Sequence, residues 1–89
     1  MSTDILESYS RDAAMRVAGV ARPHGVRIAA DEGGVAVELR LSVDWGASVG
    51  GVGRAVQDSV VSYLARMADI TPLSVDVIVD EVAAPTQGP

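Results

Sequence analysis

No cysteine, no phenylalanine and no lysine occur in this sequence of 89 residues. The missing cysteine excludes disulfides, cysteine nucleophiles and thiolate metal sites, and it is the ordinary state of a cytosolic chain. Without phenylalanine the core has to be built from Val, Leu, Ile, Ala and Met. Without lysine the seven basic residues are all arginine (Arg11, Arg16, Arg22, Arg27, Arg40, Arg54, Arg66), scattered against twelve acidic ones. The net charge of -5 opposes a nucleic-acid backbone or an anionic lipid surface as a direct partner. Long apolar runs are missing too. Nothing approaches the ~20 residues of a membrane span, and the start MSTDILESYS carries acids where a signal peptide carries bases. The expectation is a chain neither secreted nor inserted into a membrane by its own signals.

What is present is hydrophobic period. A chain of this length buries about 60 to 65% of its unfolded surface, enough for one modest core, so residues 1–82 are expected to form a single domain. The Ala-Pro-Gly composition of residues 83–89 predicts a disordered tail. Ser2, Thr3 or Asp4 supplies a helix cap, with Glu7 near capping-box spacing. Ile5, Tyr9, Ala13, Val17 and Val20 then recur at helical spacing as one apolar stripe. Gly19 and Arg22-Pro23-His24-Gly25 mark the end of that helix and the turn after it.

Val26, Ile28 and Ala30 predict a short first strand, and Asp31-Glu32-Gly33-Gly34 a hairpin turn with positive φ. The second strand is the clearest element. Val35, Val37, Leu39, Leu41, Val43 and Trp45 alternate with Ala36, Glu38, Arg40, Ser42 and Asp44, giving one buried and one wet face. After Gly46 the period becomes helical. Val49, Val52, Val56, Val60, Tyr63, Leu64 and Met67 share one sector of an amphipathic helix that Ile70-Thr71-Pro72 ends. Leu73, Val75, Val77 and Val79 then alternate with Ser74, Asp76, Ile78 and Asp80 as a third strand.

The predicted fold is therefore an α/β (α+β) two-layer sandwich of order α-β-β-α-β. Strands one and two form an antiparallel hairpin, and strands two and three lie parallel through a right-handed helical crossover. Both helices cover one face of this three-stranded mixed sheet. Ile78 and Val82 break the polar pattern of the other face and are candidate partner or oligomer contacts. Trp45, at the end of the apolar face of strand two, is either a core plug at the sheet's edge or a third such contact.

The glycines between strand and helix invite a phosphate-loop reading, since helix amides and dipole hold anions in that geometry. The spacing fails. Val52 stands where a P-loop needs lysine, and Gly46, Gly50, Gly51 and Gly53 miss the dinucleotide fingerprint. Gly50-Gly51-Val52-Gly53 also matches the GXXG loop of a KH-like nucleic-acid-binding module, which stays open as the alternative function. That loop needs helices on both sides and a basic surround, and Arg54 stands alone. His24, the single histidine, reads as an exposed loop residue. Asp76 and Asp80 share a strand face with Glu81 opposite, which suits solvation better than acid–base work. No catalytic group, metal site or cofactor is expected.

With these residues in view, the chain resembles the alkaline-shock-protein family of bacterial envelope stress response proteins over most of its length. The resemblance is carried by Ala13-Ala14-Met15-Arg16-Val17-Ala18-Gly19-Val20, by the strand Val35 to Val43 with Trp45-Gly46 after it, and by the helix from Val52 with its Val56-Gln57 pair. Leu64-Ala65-Arg66-Met67-Ala68-Asp69-Ile70 and Val75-Asp76-Val77-Ile78-Val79 complete it. The family implies a non-enzymatic protein that is cytoplasmic, or peripheral at the membrane through a membrane-anchored partner, and that self-associates as a homo-oligomer. Two departures stand out: Gly50-Gly51 occupies the place where members commonly have a proline, and the tail is shorter and less charged than in many members.

Overall fold

Ser2 adopts an extended conformation (φ -75°, ψ 151°) and its hydroxyl accepts the Ile5 N–H, which starts the first helix, α1, Thr3–Met15. This is helix capping by a short polar side chain, with Asp4 in the first turn complementing the helix dipole. The chain is described here by a computed structural model over residues 2–84. The order is α1, then β1 (Val20–Asp31), β2 (Gly34–Val43), α2 (Val49–Ala68) and β3 (Ser74–Val82). The sheet order is β1-β2-β3, with β1 antiparallel and β3 parallel to the central β2. Both helices pack on the same side, α1 toward β1 and α2 toward β3.

The buried face of α1 is rotated from the expected one. Leu6, Ser10, Ala13 and Ala14 are buried, while Ile5 is exposed, and the helix stops at Met15 before Val17 and Val20, which join the core from outside it. The reason lies in α2. Ala13 and Ala14 are small enough to let the helices approach, and Ser59 Oγ donates to the Ala13 carbonyl at 2.8 Å. Tyr9 and Tyr63 meet edge to face at 5.7 Å, with the Arg16 guanidinium 5.1 Å from the Tyr63 centroid, a stacking and cation–π arrangement. The chain then turns at Gly19, where φ is 95° and a Cβ would lie 2.7 Å from Val52 Cγ2, leaving no room for a side chain.

Strand β1 begins six residues earlier than Val26. Arg22-Pro23-His24-Gly25 is therefore strand and not turn. Proline is tolerated because β1 is an edge strand, where a missing N–H need not cost a ladder bond. The register against β2 shifts between Val20 and Arg22 and again between Pro23 and Gly25, so Ala21 and His24 are the extra residues of two bulges. In the hairpin, Asp31 pairs with Gly34 and the Asp31 carboxylate accepts the Gly33 N–H at 2.7 Å. The positive φ falls on Gly34 and not within the two turn residues.

Strand β2 carries the core: Val37, Leu39, Leu41 and Val43 are fully buried, against Leu6, Val52, Val56, Val60 and Leu64. Each fully buried aliphatic side chain contributes about 1.5–3 kcal/mol of transfer free energy. Helix α2 starts at Ser48, whose hydroxyl accepts the Gly51 N–H, and ends at Asp69 in the left-handed conformation (φ 54°, ψ 40°) with Ile70 N–H returned to the Leu64 carbonyl. Met67 and Val49, placed on the buried sector by periodicity, are exposed at the helix ends. Strand β3 contains a third bulge at Asp80, between the pairs Leu41–Val79 and Ser42–Glu81. Of the predicted tail, Ala83 is still tied to the sheet through its N–H to the Val43 carbonyl at 2.8 Å; residues 85–89 lie outside the described residues.

Candidate functional site

Three surfaces remain once the core is accounted for. The first is the open face of the sheet. Arg40 stands at its centre, flanked in register by Gly25 of β1 and Ile78 of β3. His24 is exposed, as expected, but lies in a strand and not in a loop: its Nε2 lies 2.6 Å from Asp80 Oδ1, joining the bulges of the two edge strands across β2. Arg40 Nη1 stands 3.9 Å from the other Asp80 oxygen, and Arg27 is at the same distance from Glu38. The bulge at Asp80 also reverses the expectation for Glu81, which pairs with Ser42 and so shares the open face with Asp76. Among the described residues no group of three or more metal-ligating side chains forms. The arrangement holds strand edges together.

The second surface is the end of the sheet from which β2 leads into α2. Trp45 is 68% exposed there, so it is not a core plug. Strand pairing ends at Val43, and the Asp44 N–H bonds the Gly19 carbonyl while Ala47 N–H returns to Asp44. That turn, with Gly46 at φ 85°, carries Trp45 off the apolar face. Val82 pairs with Val43, two residues before Trp45, and Val49 opens α2 just after it; both are about half exposed. The structure thus puts Trp45 and Val82 at one end of the molecule and separates them from Ile78, which is partly buried beside Arg40 in mid-sheet. The separation is again due to the Asp80 bulge, which moves Val82 into the register of helix-facing residues.

The third surface was not foreseen. A groove of about 350 Å³ runs between α2 and the outer strand, lined by Val49, Gly50, Gly53, Arg54, Gln57, Val77 and Val79. Its helical wall has a sequence signal, since residues 50, 53, 54 and 57 fall at i, i+3, i+4 and i+7 on one helix face. Gly50-Gly51-Val52-Gly53 is helical throughout, which removes the loop that a KH-type backbone clamp requires. A Cβ placed on Gly50 or Gly53 meets nothing within 4 Å, so no contact among the described residues asks for glycine. Each glycine instead costs the helix about 0.5–1 kcal/mol relative to alanine.

The fold has clear counterparts. A MamM CTD in its copper form superposes with a TM-score of 0.75 at 19% identity, over 96% of this chain and 91% of that one. A zinc form of a MamM CTD variant gives 0.72 at 22%, over 94% and 87%, and a doubly substituted MamM CTD 0.74 at 16%, over 98% and 100%. At such identities the likeness concerns the fold. No curated protein sequence matches the chain. A family model does match, over residues 1–84, and it describes a cell envelope-related function. The chain belongs to the alkaline shock protein family.

Proposed function

We propose that this chain is a non-enzymatic envelope stress response protein that acts by binding, either to further copies of itself, to a membrane-anchored protein, or to both. The observation that carries the reading is Trp45. A tryptophan left 68% exposed, with half-exposed Val49 and Val82 at the same end of the sheet, is the kind of aromatic anchor around which contacts concentrate. The open face supports it in a different way, because His24 and Arg40 engage Asp80, and Arg27 engages Glu38, across strands. Among the described residues no helix is long and apolar enough to cross a membrane; in this reading the chain lies on the cytoplasmic side and reaches the envelope through a partner. Ile78, beside Arg40, is a secondary contact candidate.

Fractionation of cells producing the chain, combined with light scattering of the purified protein across a concentration series, tests this. The expected result is enrichment with the envelope, dependent on another protein, or reversible self-association. An even cytosolic distribution together with a monomer at the highest concentration would overturn it.

A further inference from the structure

Strand β3 is the outer strand on the α2 side, and among the described residues its outer edge receives one side-chain hydrogen bond: Gln57 Nε2 donates to the Val75 carbonyl at 2.9 Å. In a strand the N–H and C=O of one residue point the same way and alternate along the chain. With Val75 turned outward, Val77 and Val79 also present their N–H and C=O at that edge, ahead of the bulge at Asp80. Their side chains, in register with Leu39 and Leu41, face α2 and line the groove bounded by Gly50 and Gly53. An open edge beside a groove with valines on its strand wall is the arrangement that strand addition uses, with backbone bonds for affinity and alternate side chains for specificity.

The charge pattern decides the occupant. Antiparallel pairing of β3 with a second copy, centred on Ile78, sets Asp76 against Asp80 on the open face, and sliding past the bulge sets it against Glu81. Like charges directly opposite are destabilising, and the chain has a net charge of -5. The register centred on Val77 avoids that opposition but sets Asp76 against Ile78 and Ser74 against Asp80, so a second copy of β3, which carries three acids and no base, gives these acids no cation. We infer that the free edge of β3 takes an extended segment of a different protein as a fourth strand, its aliphatic residues lying over Val77 and Val79 and its alternate residues cationic, toward Asp76 and Glu81. The inference deepens the binding role proposed above and rests on it for the existence of a partner. Gly50 and Gly53 keep the helical wall flat for that segment.

The test uses the whole chain and two labelled, end-capped peptides of equal length, one alternating valine with lysine and one alternating valine with glutamate. Fluorescence anisotropy should show the lysine peptide binding at least about tenfold more tightly, and amide shifts in NMR spectra should centre on Val77 and Val79. Val77→Pro removes an outward N–H without breaking the ladder to β2, and Gly53→Leu fills the groove; each should weaken binding at least about tenfold. Gly53→Leu should leave the melting temperature unchanged or higher, which separates lost binding from lost folding. Equal affinity for both peptides, binding by neither, or insensitivity to both substitutions would overturn the inference. Envelope association that survives Gly53→Leu and fails with Trp45→Ala would also overturn it, while leaving the general binding role in place.

Discussion

His24 and Asp80, each the extra residue of a bulge on opposite edge strands, meet at 2.6 Å across the central strand. The contact ties β1 to β3 over the open face, where no helix does so. Its side chains are 29% and 35% exposed, so solvent screens the pair and a modest energy is expected. A double-mutant cycle of His24→Ala and Asp80→Ala, read by urea unfolding, should give a coupling of about 0.5–1 kcal/mol. Arg40, 3.9 Å from the same carboxylate, adds to the loss in Asp80→Ala alone. A coupling indistinguishable from zero would mean that the bulges are held by backbone pairing without this bridge.

Ser10 offers a gain in stability. Its Oγ is buried between α1 and the core with no hydrogen-bond partner among the described residues. An unsatisfied buried hydroxyl costs free energy that an apolar group of similar size does not. Ser10→Ala is expected to stabilise the domain by about 1 kcal/mol, seen as a higher urea midpoint at unchanged slope. A loss of stability would reveal a hydrogen bond to water at this site.

Two classes of glycine should behave oppositely. Gly50→Ala and Gly53→Ala add a methyl to open space in a helix and should each stabilise by about 0.5–1 kcal/mol. Gly19→Ala meets Val52 at 2.7 Å with φ at 95° and should destabilise by more than about 1 kcal/mol. Thermal melts of the three variants, compared side by side, check the contrast.

Trp45 and Leu39 separate binding from folding in the same manner. Leu39 is fully buried in the middle of β2, and Leu39→Ala should cost about 2–5 kcal/mol. Trp45→Ala removes a larger side chain yet should stay within about 0.5 kcal/mol of the parent, while reducing self-association or partner capture. As the single tryptophan, Trp45 also reports on itself: its emission should be that of a solvated indole in dilute solution and shift to the blue wherever it becomes covered. Emission that is already blue-shifted in a dilute monomer would contradict its exposure.

Much of the architecture was legible beforehand because it rests on local periodicity. Alternation from Val35 to Val43 specifies a strand with one buried face, and the spacing of Val52, Val56, Val60 and Leu64 specifies the covering helix. Helix, hairpin and crossover lengths then leave few ways to connect three strands. The KH-like alternative was also legible as a pattern, yet whether four residues form a loop or a first helical turn depends on the cap, and Ser48 supplies it.

Of the candidate site, less could be read. Trp45 continues the alternation of β2 in sequence, but the Asp44–Gly19 backbone bond ends the strand and turns the indole outward. Pro23 looks like a strand breaker until β1 is known to lie at an edge. Glu81 and Val82 exchange faces because of one bulged residue, and a bulge is a property of two strands in register, not of either alone. The groove between α2 and β3 follows the same logic, since its walls are remote in sequence and meet only through the crossover. The sequence by itself determined the order of elements, the buried face of β2 and the membership of the family, all encoded in residue spacing along the chain. The tertiary structure alone decided which apolar side chains stay exposed and which strand edge stays open, because both depend on how neighbouring strands and helices pair.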